Sequence, residues 1–140
     1  MRAAAAALLS TLALGCAGQW HTTRADRPLT RGELGIHPLT VDPGPEPLRR
    51  EVIRVLVEKG FRVVDHPPYH GDLELRFEVT GAHVLAELRS DGFFVDQAET
   101  DLTDPAQAAA ALVESLAVSD GLAFYMRYGG VPQQLMINVR

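Results

Sequence analysis

The chain has 140 residues and a mass of 15.2 kDa, which is room for one domain, and its 46% hydrophobic and 22% charged composition is that of a globular protein. That composition argues against a disordered chain and against a multi-span membrane protein. Thirteen Lys and Arg against eighteen Asp and Glu leave a net charge of −5, so no basic surplus exists to neutralise phosphates, and nucleic acid is not an expected partner.

Arg2 supplies a positive start, and residues 3–14 form an uncharged apolar run, the order of an export signal. Twelve helical residues reach about 18 Å at 1.5 Å each, short of the roughly 30 Å hydrocarbon core, so a cleaved leader is expected rather than a permanent span. The run closes in Leu12-Ala13-Leu14-Gly15-Cys16. Here the sequence resembles the bacterial lipoprotein signal, with Ala13 where leucine is usual. On that resemblance, small Gly15 leaves room for the peptidase at the bond and the Cys16 thiol is the nucleophile that takes the lipid group. The resemblance covers residues 1–16 and implies cleavage before Cys16, a diacylglyceryl group on its thiol, and attachment to the membrane without a span. An ordinary signal peptide followed by an incidental cysteine is the alternative. Cys16 is the only cysteine, so an internal disulfide cannot account for it.

Two or more acyl chains anchor stably where one is marginal. Loss of residues 1–15 leaves 125 residues and, with Arg2 gone, a charge of −6, so the acyl group and no polybasic patch would hold the domain at a membrane. In enterobacterial lipoproteins an aspartate after the cysteine favours inner-membrane retention. Ala17 stands here, so the resemblance implies the outer membrane, with the domain facing the periplasm.

Residues 16–35 carry no sustained period and are read as a lipidated tether, with Trp20 close enough to Cys16 for the headgroup layer. Residues 36–41 are β-prone but contain Pro38, which predicts an edge strand or a strand start. A helix is predicted over 47–59, with Pro47 at its first position and Gly60 as its stop. Val52, Ile53, Leu56 and Val57 make its apolar face, and Arg54 and Glu58 pair on the other. A strand follows at 61–64. Residues 72–80 alternate strictly, Leu73, Leu75, Phe77 and Val79 against Glu74, Arg76, Glu78 and Thr80, a strand with one wet face. Strands at 84–89 and 93–100 are joined at Asp91-Gly92, a strong hairpin signal. Asp104 and Pro105 open a second helix as N-cap and first residue, and Gly121 is expected to end it. Residues 122–130 stay ambiguous, and the alternation of Leu135, Ile137 and Val139 suggests a last strand.

The order strand, helix, four strands, helix predicts an α+β two-layer sandwich over residues 36–140, a largely antiparallel sheet with two helices on one face. The Gly60-Phe61-Arg62-Val63-Val64 junction after a helix, and the Asp72-Leu73-Glu74-Leu75 strand start, carry a resemblance to the single α/β domain of small outer-membrane lipoproteins of the YajG type and penicillin-binding-protein activators of the LpoB type. The resemblance covers about residues 36–120. It implies a binding or assembly role in the envelope, and it brings no shared catalytic residues.

Conventional catalytic patterns are weak. His66 and His70 lie in Asp65-His66-Pro67-Pro68-Tyr69-His70-Gly71-Asp72, the one place where a small metal-dependent periplasmic enzyme could be sought, but two prolines forbid the helix that would make the i,i+4 spacing meaningful. Ser90, Ser115 and Ser119 lack a nucleophile elbow. Asp96, Glu99, Asp101 and Asp104 do not have calcium-loop spacing. No cofactor, metal site or catalytic set is expected.

The leading expectation is a non-enzymatic, membrane-anchored binding or assembly module, whose partners are the lipid membrane and an envelope protein or a second copy. An assembly accessory of an outer-membrane barrel is the further alternative. Strand parity supplies a candidate partner surface. Ala86, Leu88, Phe93 and Val95 share the core face, which sends Leu85 and Phe94 to the helix-free face that also bears Glu74, Arg76 and Glu78.

Overall fold

The computed structural model describes residues 23–138. The expected leader and Cys16, together with Trp20, lie outside the described residues, as do Val139 and Arg140. In chain order the elements are α1 (Arg31–Leu34), β1 (Pro38–Val41), α2 (Leu48–Lys59), β2 (Arg62–Val63), β3 (Leu73–Thr80), β4 (His83–Ser90), β5 (Phe93–Asp101), α3 (Pro105–Ala117), α4 (Asp120–Tyr128) and α5 (Pro132–Asn138). The five strands form one sheet in the order β2-β1-β3-β4-β5. β1 runs parallel to both neighbours, and β3, β4 and β5 are a consecutive antiparallel meander. The molecule is the α+β two-layer arrangement that the element order predicts.

Two amphipathic helices cover one face of the sheet. α2 buries Leu48, Val52, Val55 and Leu56, a spacing of i, i+4, i+7 and i+8 that holds one stripe inward. Val57, expected on that stripe, is 52% exposed and Ile53 only half-buried, because the stripe is centred one residue from where the sequence places it. α3 lies beside α2 and buries Ala108, Ala109, Leu112, Val113, Leu116 and Ala117. Its alanines let the helix approach closely. Both stripes meet Leu73 and Leu75 of β3, Val84, Ala86 and Leu88 of β4, and Val95 and Ala98 of β5 in one core. On the solvent side Arg54 pairs with Glu58 at 2.7 Å and with Glu51 at 2.9 Å, and Lys59 reaches Glu114 of α3 at 3.2 Å.

Local chemistry sets the ends. Pro47 is the residue before α2, and Gly60 closes the helix at φ 115°, its N–H donating to Leu56 O and Val57 O. Asp104 caps α3, its Oδ1 accepting from Ala106 N at 3.0 Å with Pro105 at the first position. Asp91 (φ 52°) and Gly92 (φ 81°) make a two-residue turn with both central residues left-handed, as the hairpin signal requires.

Of the two readings that Pro38 allows, the strand start holds: Pro38 is the first residue of β1. The strand is interior rather than at an edge, and Pro38 faces only Arg62 of β2 while pairing with β3 starts at Leu39, so the missing N–H breaks no bond on that side. Three expectations are corrected. Gly121 does not end α3, which stops at Ala117. Ser119 starts a new helix there, its Oγ accepting from Leu122 N at 3.2 Å. Residues 132–138 are helical where a strand is expected. Pro132 opens the turn, and Gln134 Oε1 accepts the Val131 N–H at 2.9 Å.

The tether is the third. Its described part, residues 23–35, is folded onto the domain. Ala25 N donates to Val118 O at 2.8 Å and Asp120 N to Thr23 O at 2.7 Å. Thr30 and Glu33 form a capping box on α1, whose Leu34 is buried. Glu33 also meets Arg127 of α4 at 3.1 Å.

Gly121 is required where α4 meets β5. A side chain there would strike the backbone oxygen of Val95 and the carboxylate of Asp96, and backbone cannot swing aside. Gly121→Ala is therefore expected to lose about 2 kcal/mol, the usual scale for forcing an atom into packed structure. Urea unfolding should show this as a lower midpoint with an unchanged slope.

Candidate functional site

Strand register arranges the face opposite α2 and α3 into cross-strand rows. Glu74, Arg89 and Phe94 form the first, Arg76, Glu87 and Gln97 the second, and Glu78, Leu85 and Glu99 the third, with Thr80, His83 and Asp101 at the far end. All of the sequence-derived surface residues lie on this face. Leu85 and Phe94 are two rows apart, about 13 Å at the usual strand rise, so they do not touch as one apolar cluster. Leu85 is half-buried between the two glutamates, and Phe94 stands alone at the corner with 40% of its surface exposed.

A β-bulge creates that corner. Arg89 faces Phe94 and Leu88 faces Asp96, which leaves Val95 as an extra residue. The bulge keeps Val95 in the core and turns Asp96 inward as well, buried beneath the start of α4. There its Oδ2 accepts the Gly121 N–H at 3.1 Å and its Oδ1 the Gln97 N–H at 2.8 Å. A carboxylate at a helix N-terminus is favourably placed.

Phe94 is the shared wall of two grooves. One, of about 640 Å³, lies on the sheet face between Glu87, Arg89, Gln97 and Gln133 of α5. The other, of about 370 Å³, runs past the sheet edge between Phe94, Gly121, Phe124, Val131 and Pro132. Phe124 in turn packs on Tyr128, ring centroids 4.6 Å apart. Phe124, Tyr128 and Gln133 belong to the segment whose structure the sequence left ambiguous or misassigned. The Phe124/Tyr128 spacing of i,i+4 was the signal available.

The charges on the face are largely spent on each other. Arg89 holds Glu87 and donates to Gly92 O at 2.9 Å. Arg76 sits 2.8 Å from Glu74 and 3.6 Å from Asp42. Arg76 pulls the Glu74 carboxyl below its ordinary value, whereas Asp42 is raised, first by its partial burial and then by Glu74 beside it. His83 lies between Glu99 at 3.1 Å and Asp101 at 3.5 Å, and these two carboxylates raise its pKa.

The 65–72 loop does not gather its histidines. His66 stacks on Tyr69 with centroids 4.5 Å apart, and His70 points to Asp91 at 3.1 Å. Asp72 is buried and accepts the Tyr69 N–H at 3.0 Å. Among the described residues no group of three or more His, Cys, Asp or Glu side chains is placed to hold a metal ion. Ser90 and Ser119 are buried, the first hydrogen-bonded to Tyr125 and the second capping α4.

No protein-family model matches the chain, and no curated protein matches it.

The His83 environment gives a pH dependence with a definite sign. Its pKa is raised in the folded protein, so its contribution to stability is fully present below the unfolded value near 6.5 and is lost as pH rises through the folded midpoint. NMR titration should place that midpoint above 6.5, and Glu99→Gln should lower it because Glu99 is the larger cause.

Proposed function

We propose that this protein is a lipid-anchored envelope lipoprotein whose domain acts as a non-enzymatic binding or assembly module, held by Cys16 at the outer membrane and facing the periplasm. The observation that carries the binding role is Phe94, an aromatic ring exposed on the helix-free sheet face at the junction of two grooves. An aromatic anchor inside a rim of mutually paired charges is the anatomy of an interaction hot spot, because the rim residues give up little on being covered. The anchoring role rests on the apolar run of residues 3–14 that ends at Gly15-Cys16, and the likeness to lipoprotein domains supports the envelope setting. Leu85, Glu74, Arg76 and Glu78 extend the surface away from Phe94 and would set partner selectivity by charge. The partner is an envelope protein or a second copy of the chain.

Two variants test the two halves. Cys16→Ser should leave the membrane fraction or accumulate as unprocessed precursor, and mass spectrometry of the wild-type protein should find acyl groups on Cys16. An unmodified Cys16 in membrane-extracted protein would refute anchoring by this route. Phe94→Asp should keep its fold, since a surface change usually costs less than about 0.5 kcal/mol, while cross-linking to the partner or to itself falls. If melting and cross-linking are both unchanged, the Phe94 surface is not the binding site.

A further inference from the structure

The face of α4 that looks outward carries a stripe at helical spacing. Asp120, Phe124 and Tyr128 follow one another at i, i+4 and i+8, while Leu122, Ala123, Tyr125 and Met126 fill the opposite side in the core. Tyr128 is 64% exposed, and Phe124 is half-buried against it. The pair makes one apolar spot on the outward face of α4, with Tyr128 its exposed part.

The chain leading to Cys16 meets the domain at the head of this stripe. Thr23 O accepts the Asp120 N–H, and the following residues run alongside α4, where Arg127 Nη2 donates to Arg27 O at 2.9 Å and to Pro28 O at 3.4 Å. Arg24 and Arg27 are exposed in this segment, Arg24 bridged through its backbone to Ser119 and Arg27 O held by Arg127, and Asp26 and Asp120 are exposed as well. Cys16 is seven residues from Thr23, a reach of at most about 25 Å for extended chain. An acyl group on Cys16 therefore holds α4 close to a membrane and makes the contact effectively intramolecular.

We propose that the Phe124/Tyr128 stripe of α4 rests on the phospholipid surface beside the anchor. The rings sit at headgroup depth, and Arg24 and Arg27 lie against lipid phosphates. The inference rests on the lipid-anchored reading of Cys16 and adds an orientation to it. Aromatic side chains with one polar end favour the membrane interface, and arginines reach phosphate from an apolar surface. With both signs of charge along this segment, net attraction to anionic lipid is not the driving term, and the contact should form on zwitterionic lipid. In this pose α4 and the groove between Phe94 and Phe124 lie on the membrane side, while the sheet-face groove of Phe94, Glu87, Arg89 and Gln97 and the rows of Glu74, Arg76, Glu78 and Leu85 are the part left to a partner.

The test uses the full acylated protein in phosphatidylcholine vesicles with and without bromine on the acyl chains. A single tryptophan is placed by Phe124→Trp in a Trp20→Phe background, and by Val79→Trp in the same background as the control. Val79 is 41% exposed near the end of β3. Fluorescence from position 124 is expected to fall by about half in brominated vesicles, as for a ring at the interface, and that from position 79 to stay constant. Tyr128→Trp replaces the first reporter if Phe124→Trp fails to fold. Unquenched emission from the α4 reporter in protein whose Cys16 is acylated by mass spectrometry overturns the docking and leaves the anchoring intact. Equal quenching at both positions overturns it too, and an unmodified Cys16 overturns both readings.

Discussion

The hydroxyl of Tyr125 is the constraint on which the arrangement of the C-terminal helices depends. It lies 2.6 Å from Ser90 Oγ and 2.6 Å from Gly71 O, with its side chain almost wholly buried and His37 edge-on to its ring at 5.1 Å. Burial pushes the phenol pKa up, so the group stays neutral and donates to the Gly71 carbonyl while accepting from Ser90. A buried phenol without partners costs about 1–3 kcal/mol, and here the partners are the turn that leads into β3 and the last residue of β4. Ser90 O then accepts from Gln134 Nε2 at 3.2 Å, which extends the same network to α5. With Tyr125 fixed inward, helical geometry sends Phe124 and Tyr128 outward. One hydrogen-bonded ring thus decides both how α4 closes the core and what it shows to its surroundings.

The parts legible in the sequence are those where a period repeats long enough to select one geometry. Eight residues of strict alternation fix the face of β3, and the caps at Asp104, Pro105 and Gly60 fix helix ends through their own backbone chemistry. The C-terminal segment failed because Leu135, Ile137 and Val139 span only five residues, too few to separate a period of 2 from one of 3.6. Pro132 outweighed the alternation by supplying a helix start. The fold of residues 23–35 is carried mainly by contacts with partners nearly a hundred positions away, such as Thr23 with Asp120 and Glu33 with Arg127. Only the Thr30 and Glu33 capping pair was local, and it was there to be read.

The candidate surface was partly legible for the same reason. Parity across the Asp91-Gly92 turn places Phe94 opposite Arg89, because the count from the turn is short. Beyond Phe94 the bulge at Val95 shifts the count by one, so that Gln97 and Glu99, at odd positions, share a face with even-numbered Phe94. A bulge leaves no clear mark in composition. Its cause is the demand that Asp96 meet the N-terminus of α4, a contact over 25 residues of chain. The second wall of the groove, Phe124 and Pro132, follows from α4 and α5 and was out of reach until those helices were known.

Folding of residues 23–35 onto the domain changes the mechanics of the attachment proposed at Cys16. A tether running freely from Cys16 to residue 35 would span up to about 65 Å and let the domain sample all orientations above a membrane. The bonds of Thr23 and Ala25 to the α3–α4 junction shorten that span to at most about 25 Å and hold the chain to the domain from Thr23 onward. A domain of this size has a radius of gyration near 14 Å, so its own width is comparable with the remaining tether. An anchor so short would act on one side of the molecule. On the proposed lipidation of Cys16, a partner on the sheet face would be met close to the bilayer, and the orientation of that face would be set by the junction of α3 and α4 rather than by the strands that carry it.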